Sequence, residues 1–127
     1  MNKDKVIFAF FIVLALTLNF GFFLGEIDNP EHHNVFEFFA AITVSLICTV
    51  LKFGDRTHLG ALMLATSLVA DLQLVIAACI WGFAVQISGV GMDASNMSSV
   101  VSLSGGALLA NIISVILLVV ESAMLRR

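Results

Sequence analysis

Hydrophobic residues occur along this chain in four long stretches that are separated by short polar segments. The stretches cover approximately residues 6–25, 30–53, 57–86 and 97–125. A helix of about 20 residues, rising about 1.5 Å per residue, is long enough to cross the ~30 Å hydrocarbon core of a bilayer. We therefore predict an all-α integral membrane protein, a four-helix bundle that forms one domain over residues 1–127.

The positions of the charged residues predict how these spans are oriented. Lys and Arg occur only as pairs: before the first span, where the second span ends and the third begins, and after the fourth. The pairs are Lys3 with Lys5, Lys52 with Arg56, and Arg126 with Arg127. Acidic residues instead cluster between the first two spans, and Asp93 lies between the last two. Because cytoplasmic segments are enriched in Lys and Arg, we expect both termini to face the cytoplasm.

Residues typical of helix ends predict where the second and third helices begin. Asn29 offers a capping oxygen, Pro30 is well tolerated at a first helical position, and Glu31 complements the helix dipole. We therefore expect the second helix to begin at Pro30. Glycine readily adopts the left-handed conformation that ends many helices, so Gly54 is expected to end the second helix. Asp55 is then the predicted N-cap of the third helix.

Composition excludes several classes of function. The chain is 60% hydrophobic and 12% charged, which excludes a soluble domain and nucleic-acid binding. It contains no phosphate-binding loop and no arrangement typical of catalysis, so we expect neither an enzyme nor a cofactor. The first stretch lacks a cleavage site and is interpreted as a retained helix. Cys48 and Cys79 lie in apolar stretches and are expected to be packing residues.

Asp71 is the residue most suggestive of a function, because it falls near the middle of the third span. An ionised carboxylate at that depth costs ~3 kcal/mol, and no Lys or Arg occurs between residues 57 and 125. Its partners would be a cation, a proton, water, or polar neighbours such as Ser67 and Gln73. Two interpretations remain open: a cation or proton site, and a protonated carboxyl group that joins two helices.

The fourth span carries polar residues that recur at helical spacing. They are Ser104, Asn111, Ser114 and Glu121. Residues at these offsets lie along one face of a helix, so we expect the face to contact protein or water. Asn111 is close to the midpoint and could meet Asp71 at similar depth, lining a hydrated path or joining helices. Gly105 and Gly106 are expected to permit close helix packing.

Charged residues near the ends of the spans predict a charged surface at each end of the bundle. The outer loop would form an acidic vestibule, made of Glu26, Asp28, Glu31, His33 and Glu37. The cytoplasmic rim would contain Lys52, Arg56 and Glu121, with Glu121 balanced by Arg126. His33 and Glu37 are four residues apart, a spacing that lets two ligands reach one metal. The ligand set is incomplete, so no metal site is predicted.

Three segments carry a resemblance to a known family. They are TVLKFGDRT at 49–57, LVADLQL at 68–74 and SLSGGALLAN at 102–111. The chain resembles, over its whole length, a family of small bacterial inner-membrane proteins of unassigned function. The resemblance implies four spans and a bacterial inner-membrane location, and it implies no catalytic or ligand-binding residues.

These observations lead to two hypotheses about function. Four helices enclose little volume, so a cation channel or cation-conducting subunit would form its pathway on the axis of a homo-oligomer. Asp71 or Asn111 would face that axis, and a monovalent cation would pass. The alternative is a non-conducting accessory or scaffold subunit, whose basic turn at 52–58 contacts a cytoplasmic protein partner.

Overall fold

Four long α-helices account for most of the chain. A computed structural model describes residues 3–25, 29, 33–87 and 92–125. The helices are α1 (Lys3–Phe23), α2 (Val35–Lys52), α3 (His58–Gly82), which a π-helical turn continues over Phe83–Ile87, and α4 (Ala94–Leu125). Each helix is long and apolar enough to cross a membrane, and the described residues contain no strand. The protein is therefore an all-α, multi-pass membrane protein, as predicted.

The helices form an antiparallel bundle in which each packs against its neighbours in sequence and α1 packs against α4. Lys5, near the start of α1, pairs with Glu121, near the end of α4. We call this end of the bundle, which also contains the α2–α3 turn at residues 53–57, the basic end. The opposite end, with the α1–α2 and α3–α4 connections, is called the acidic end.

Two apolar clusters form the core. The cluster towards the acidic end includes Phe22 and Phe38, whose ring centroids lie 4.9 Å apart, and Trp81, which stacks on Phe38 at 5.4 Å. The cluster towards the basic end includes Phe8 and Met63. Close packing of this kind supplies much of the association energy between helices in a bilayer. Lipid tails are as apolar as the helix surfaces, so the hydrophobic effect does not drive the helices together there.

The outer surface of the bundle is also hydrophobic. Phe10 of α1, Leu72 of α3 and Leu109 of α4 are each 62% exposed. A continuous apolar surface of this kind would cause aggregation in water, whereas in a bilayer it contacts acyl chains. Cys79 belongs to this surface and is exposed, so its prediction as a packing residue was wrong; Cys48 is buried as expected.

Helix α2 begins later than the sequence predicted. Its first residue is Val35, and the side chain of Asn34 accepts a hydrogen bond of 2.7 Å from the backbone N–H of Phe36. The prediction of a start at Pro30 was therefore wrong, although Pro30 itself lies outside the described residues. Asn34 supplies the same capping chemistry, and the preceding His33 is held against α1 by a hydrogen bond to the carbonyl of Phe22.

The turn between α2 and α3 confirms one predicted cap and corrects another. Gly54 has a φ of 93°, the left-handed conformation that was expected. The N-cap of α3 is Thr57, whose hydroxyl accepts from the N–H of Gly60 at 3.0 Å. Asp55 instead accepts from the N–H of Thr57 at 3.0 Å and from its hydroxyl at 2.7 Å. Asp55 thus fixes the capping residue rather than capping the helix.

The paired glycines of α4 permit close packing, as predicted. A Cβ atom at Gly105 would lie 2.8 Å from the ring of Phe23, and one at Gly106 would overlap the amide of Gln73. The side chains of Phe23 in α1 and Gln73 in α3 therefore occupy the space over the two glycines, and a larger residue at either position would displace them.

Substituting Gly54 tests the left-handed turn. We expect Gly54→Ala to destabilise the fold by about 1 kcal/mol, because a Cβ atom disfavours positive φ. Gly82→Ala is a matched control: a Cβ atom meets nothing within 4 Å at either glycine, but the φ of Gly82 is not positive. Thermal unfolding in detergent should lower the midpoint for the Gly54 variant alone. Equal effects at both positions would contradict the conformational explanation.

Candidate functional site

Asp71 is held by two hydroxyl groups of the neighbouring helix. Ser45 donates a hydrogen bond of 2.7 Å to Oδ1 of Asp71, and Thr49 donates to Oδ2. Ser45 and Thr49 are one turn apart on α2 and are both buried, whereas Asp71 is partly exposed. The carboxyl group therefore lies at the seam between α2 and α3, with both oxygens anchored and one side open to the surroundings of the bundle.

The seam is deep within the span. Asp71 follows His58, the first residue of α3, by 13 residues, which corresponds to about 20 Å along the helix axis. The described cationic side chains near the bundle interior, Lys5 and Lys52, are at the basic end. Asp71 is thus a carboxyl group near mid-span whose only hydrogen-bond donors among the described residues are hydroxyls.

The partners of Asp71 differ from those that the sequence suggested. Ser67, Gln73 and Asn111 were expected, but the hydrogen bonds come from α2. The packing of α2 against α3 brings Ser45 and Thr49 beside Asp71. The sequence did contain a signal for these partners, because Ser45 and Thr49 are four residues apart and present two hydroxyls on one face of α2. Such residues often bond only to their own helix, which makes the signal weak.

The polar stripe of α4 faces the interior of the bundle. Ser104 and Ser114 are fully buried, and Asn111 and Glu121 are 1% and 5% exposed. Ser114 shares a hydrogen bond with Thr66 of α3. This face therefore contacts protein, which is one of the two surroundings expected from the sequence. The structure separates Asn111, which is enclosed, from Asp71, which lies at the seam.

Several buried polar atoms have no hydrogen-bond partner among the described residues. These atoms are Nδ2 and Oδ1 of Asn19, Oε1 of Gln73, Nδ2 of Asn111, and the hydroxyls of Ser67 and Ser104. Asn19, Ser67 and Asn111 lie between the two apolar clusters and form a polar layer near the middle of the bundle, whereas Gln73 and Ser104 lie among residues of the cluster towards the acidic end. Burying an unpaired polar atom costs roughly 1–3 kcal/mol, so this layer lowers the stability of the bundle.

At the acidic end, the predicted vestibule is only partly visible. Glu26, Asp28 and Glu31 lie outside the described residues. His33 is buried and precedes α2 instead of sharing a helical face with Glu37, so that predicted pairing was wrong. The reason is the later start of α2. Within the described ranges, no group of three or more metal-ligating residues is found.

At the basic end, charges are paired across helices. Glu121 pairs with Lys5, whereas its expected partner, Arg126, lies outside the described residues. Lys52 is buried rather than exposed on a rim: its Nζ atom is 3.3 Å from Oδ2 of Asp55 and 4.2 Å from the ring centroid of Phe8. Arg56 is exposed. The rim therefore consists mainly of neutralised pairs.

Replacing Asn19 tests the polar layer. We expect Asn19→Leu to raise the melting temperature in detergent, because an apolar side chain of similar size removes two unpaired polar atoms. Thr66→Val is the control and should lower it, since the hydroxyl of Thr66 bonds to Ser114 and to the carbonyl of Met63 at 2.9 Å. A lower midpoint for Asn19→Leu would indicate that the amide is satisfied in solution.

The α2–α3 turn should show a defined pH dependence. Hydrogen bonds from the hydroxyl and the N–H of Thr57 hold the pKa of Asp55 below its ordinary value of 3.8. A lowered pKa in the folded state means that ionised Asp55 stabilises the fold above pH 3.8 and that this stabilisation disappears as pH falls through the folded-state pKa. We expect Asp55→Asn to be less stable than wild type at pH 7. The difference should shrink below pH 3.8; a constant difference would contradict this role.

Comparison with protein families identifies the chain. A family model described as a family of unknown function (DUF6394) matches residues 32–122, which is more than half of the chain and includes all of α2 and α3. No curated protein and no solved structure matches. The matched region contains Asp71 together with both of its hydroxyl partners. The chain therefore belongs to the DUF6394 family, whose function is unknown.

Proposed function

We propose that this protein is a cation channel, or the cation-conducting subunit of one, that assembles as a homo-oligomer with Asp71 on the pathway. The observation that carries the proposal is the position of Asp71: near mid-span, anchored by Ser45 and Thr49, and still partly exposed at the α2–α3 seam. The proposed role is transport without catalysis.

The electrostatics of the seam support binding of a cation. Residues 6–51 and 57–125 contain no Lys or Arg that could neutralise Asp71 within the spans. A carboxylate facing hydrocarbon is unfavourable by ~3 kcal/mol near a helix centre. A hydrated cation in a shared pathway would offset this cost, and rings of carboxylates are a common basis of cation selectivity.

An assembly of several protomers would provide the pathway. Within one protomer, Ser104, Asn111 and Ser114 are buried between helices, so they would not line an axis shared by several copies. A second copy placed against the seam would cover Asp71, and rotational symmetry would repeat the carboxylate around the axis. The pathway is therefore assigned to Asp71, and the interior polar residues are assigned to packing.

We place the protein in the bacterial inner membrane with both termini in the cytoplasm. The three pairs of Lys and Arg support this orientation, and the family resemblance supports the location. The acidic end would then face outwards. Acidic groups there, including Glu37, would raise the local concentration of cations at the entrance.

A second candidate is a non-conducting accessory subunit. The burial of the α4 stripe favours it, because those polar groups are used within the protomer. Exposed Arg56 in the α2–α3 turn would then contribute to a contact with a cytoplasmic protein. The two candidates differ in whether the purified protein conducts ions.

Flux through reconstituted protein distinguishes these candidates. We expect liposomes containing wild-type protein to pass potassium or sodium, and Asp71→Asn to reduce that flux by at least about tenfold, because charged pathways concentrate counter-ions by roughly 10–10³-fold. Potassium, sodium and proton fluxes should be measured in parallel, since a proton-selective flux would identify Asp71 as a proton carrier instead.

Asp93→Asn is the matched control. Asp93 is exposed and accepts from the N–H of Asn96 at 2.8 Å at the start of α4, and Asn caps a helix about as well as Asp. This variant removes a charge at the entrance and not at mid-span, so it should lose much less flux than Asp71→Asn. Absence of flux from a correctly assembled wild-type protein would rule out the channel proposal and favour the accessory subunit. Full flux through Asp71→Asn would instead rule out the role of Asp71 on the pathway.

A further inference from the structure

Two of the unpaired polar atoms lie at nearly the same level where α3 packs against α4. They are the hydroxyl of Ser67 and Nδ2 of Asn111, and each residue is 1% exposed. The hydrogen bond between Thr66 and Ser114 fixes the register of the two helices beside them. Ser67 follows Thr66 directly, and Asn111 precedes Ser114 by three residues. Both unpaired atoms therefore lie within about one helical turn of a direct contact between the two helices.

The surroundings of these two atoms are small. Neither atom has a hydrogen-bond partner among the described residues, so they do not bond to each other. The neighbouring buried residues of both helices are alanines: Ala70 on α3, and Ala107 and Ala110 on α4. Because the side chain of alanine ends at Cβ, these residues leave space beside the amide of Asn111. A small molecule in that space would contact both polar atoms.

The chemistry of the two atoms selects the bridging molecule. An amide nitrogen only donates hydrogen bonds, whereas a hydroxyl both donates and accepts. A cation is disfavoured because Asn111 presents N–H groups. An anion is disfavoured because the described cationic side chains near the interior, Lys5 and Lys52, are at the basic end. The bridge is therefore a small neutral molecule that both accepts and donates, which describes water.

A third polar group is available to such a molecule. Thr66 donates its hydroxyl proton to the carbonyl of Met63 at 2.9 Å, so Ser114 is the donor in the bond between Thr66 and Ser114. The oxygen of Ser114 then keeps both of its lone pairs. Buried waters usually make about three hydrogen bonds to otherwise unsatisfied groups. Ser114 supplies the third contact, next to the two unpaired atoms.

We propose that each protomer binds one water molecule in its interior, between α3 and α4. The water accepts a hydrogen bond from Nδ2 of Asn111 and donates to the hydroxyls of Ser67 and Ser114. It offsets the cost of burying the unpaired atoms of Ser67 and Asn111, whereas the unpaired atoms of Asn19 are not part of the site. Ser67 is one helical turn before Asp71 on α3, but the water contributes to packing and does not depend on ion conduction.

A crystal structure of the full-length protein, at a resolution that shows ordered waters, tests the proposal directly. We expect one density peak at hydrogen-bond distance, about 2.7–3.2 Å, from both Nδ2 of Asn111 and the hydroxyl of Ser67. A direct bond between these two atoms, bonds from both to other protein groups, or no density between them would overturn the proposal.

A pair of serine variants tests it by stability. The hydroxyls of Ser67 and Ser104 are both buried and unpaired, but Ser104 is seven residues from Asn111 along α4, about 10 Å away. We expect Ser67→Ala to lower the melting temperature in detergent by about 4 °C, the effect of losing one hydrogen bond in a chain of this size. Ser104→Ala is the matched control and should raise it, because it removes a hydroxyl that has no partner.

The comparison of the two variants also defines failure. A melting temperature for Ser67→Ala at or above that of wild type would show that its hydroxyl binds nothing, and it would overturn the proposal. Equal decreases in both variants would overturn it as well, because the loss would then follow from any buried serine and not from a water bound beside Asn111.

Discussion

The hydrocarbon of a bilayer offers no hydrogen-bond partners, so a polar group within the spans is costly unless the protein, or what the protein binds, satisfies it. Each contact between adjacent helices contains one polar bridge that meets this constraint. His33, just before α2, bonds to the carbonyl of Phe22 in α1, and Asp71 joins α3 to α2. Thr66 joins α3 to α4, and Lys5 joins α1 to α4. Because apolar side chains pack in many registers, these bridges define how each pair of helices is aligned.

The same constraint divides the polar residues into two groups. Those of α4 face inwards, where several atoms lack partners among the described residues and reduce stability. Asp71 lies at the seam, where both of its oxygens are anchored and the residue is partly exposed at the surface of the protomer. An enclosed polar layer between two apolar clusters affects packing within one copy, whereas a carboxyl group at a seam can affect what a second copy or an ion does. For assigning a function, whether a polar residue is enclosed in the bundle or lies at its surface therefore matters more than its depth in the membrane.

Much of the architecture could be predicted because hydropathy and the spacing of residues depend on local sequence. The four spans, the conformation of Gly54 and the buried face of α4 were all visible in this way. The partners of Asp71 were not, because Ser and Thr hydroxyls often bond only to their own helix. Thr49 does lie 3.1 Å from the carbonyl of Ser45, and only the packing of α2 against α3 shows that it also reaches Asp71. The burial of Lys52 was missed for a similar reason: a lysine near a helix end normally extends towards water, and only the position of Phe8 shows that it turns inwards.

Helix α2 has two faces with different surroundings. Successive residues of a helix are rotated by about 100°, which places Ser45 and Thr49 on the side facing α3 and Val50 on the side away from it. Val50 is 67% exposed, consistent with that direction. A substitution on the exposed face of α2 therefore leaves the hydroxyls that anchor Asp71 in place. Effects at the outer surface of the bundle and effects at Asp71 can thus be separated in the same protein.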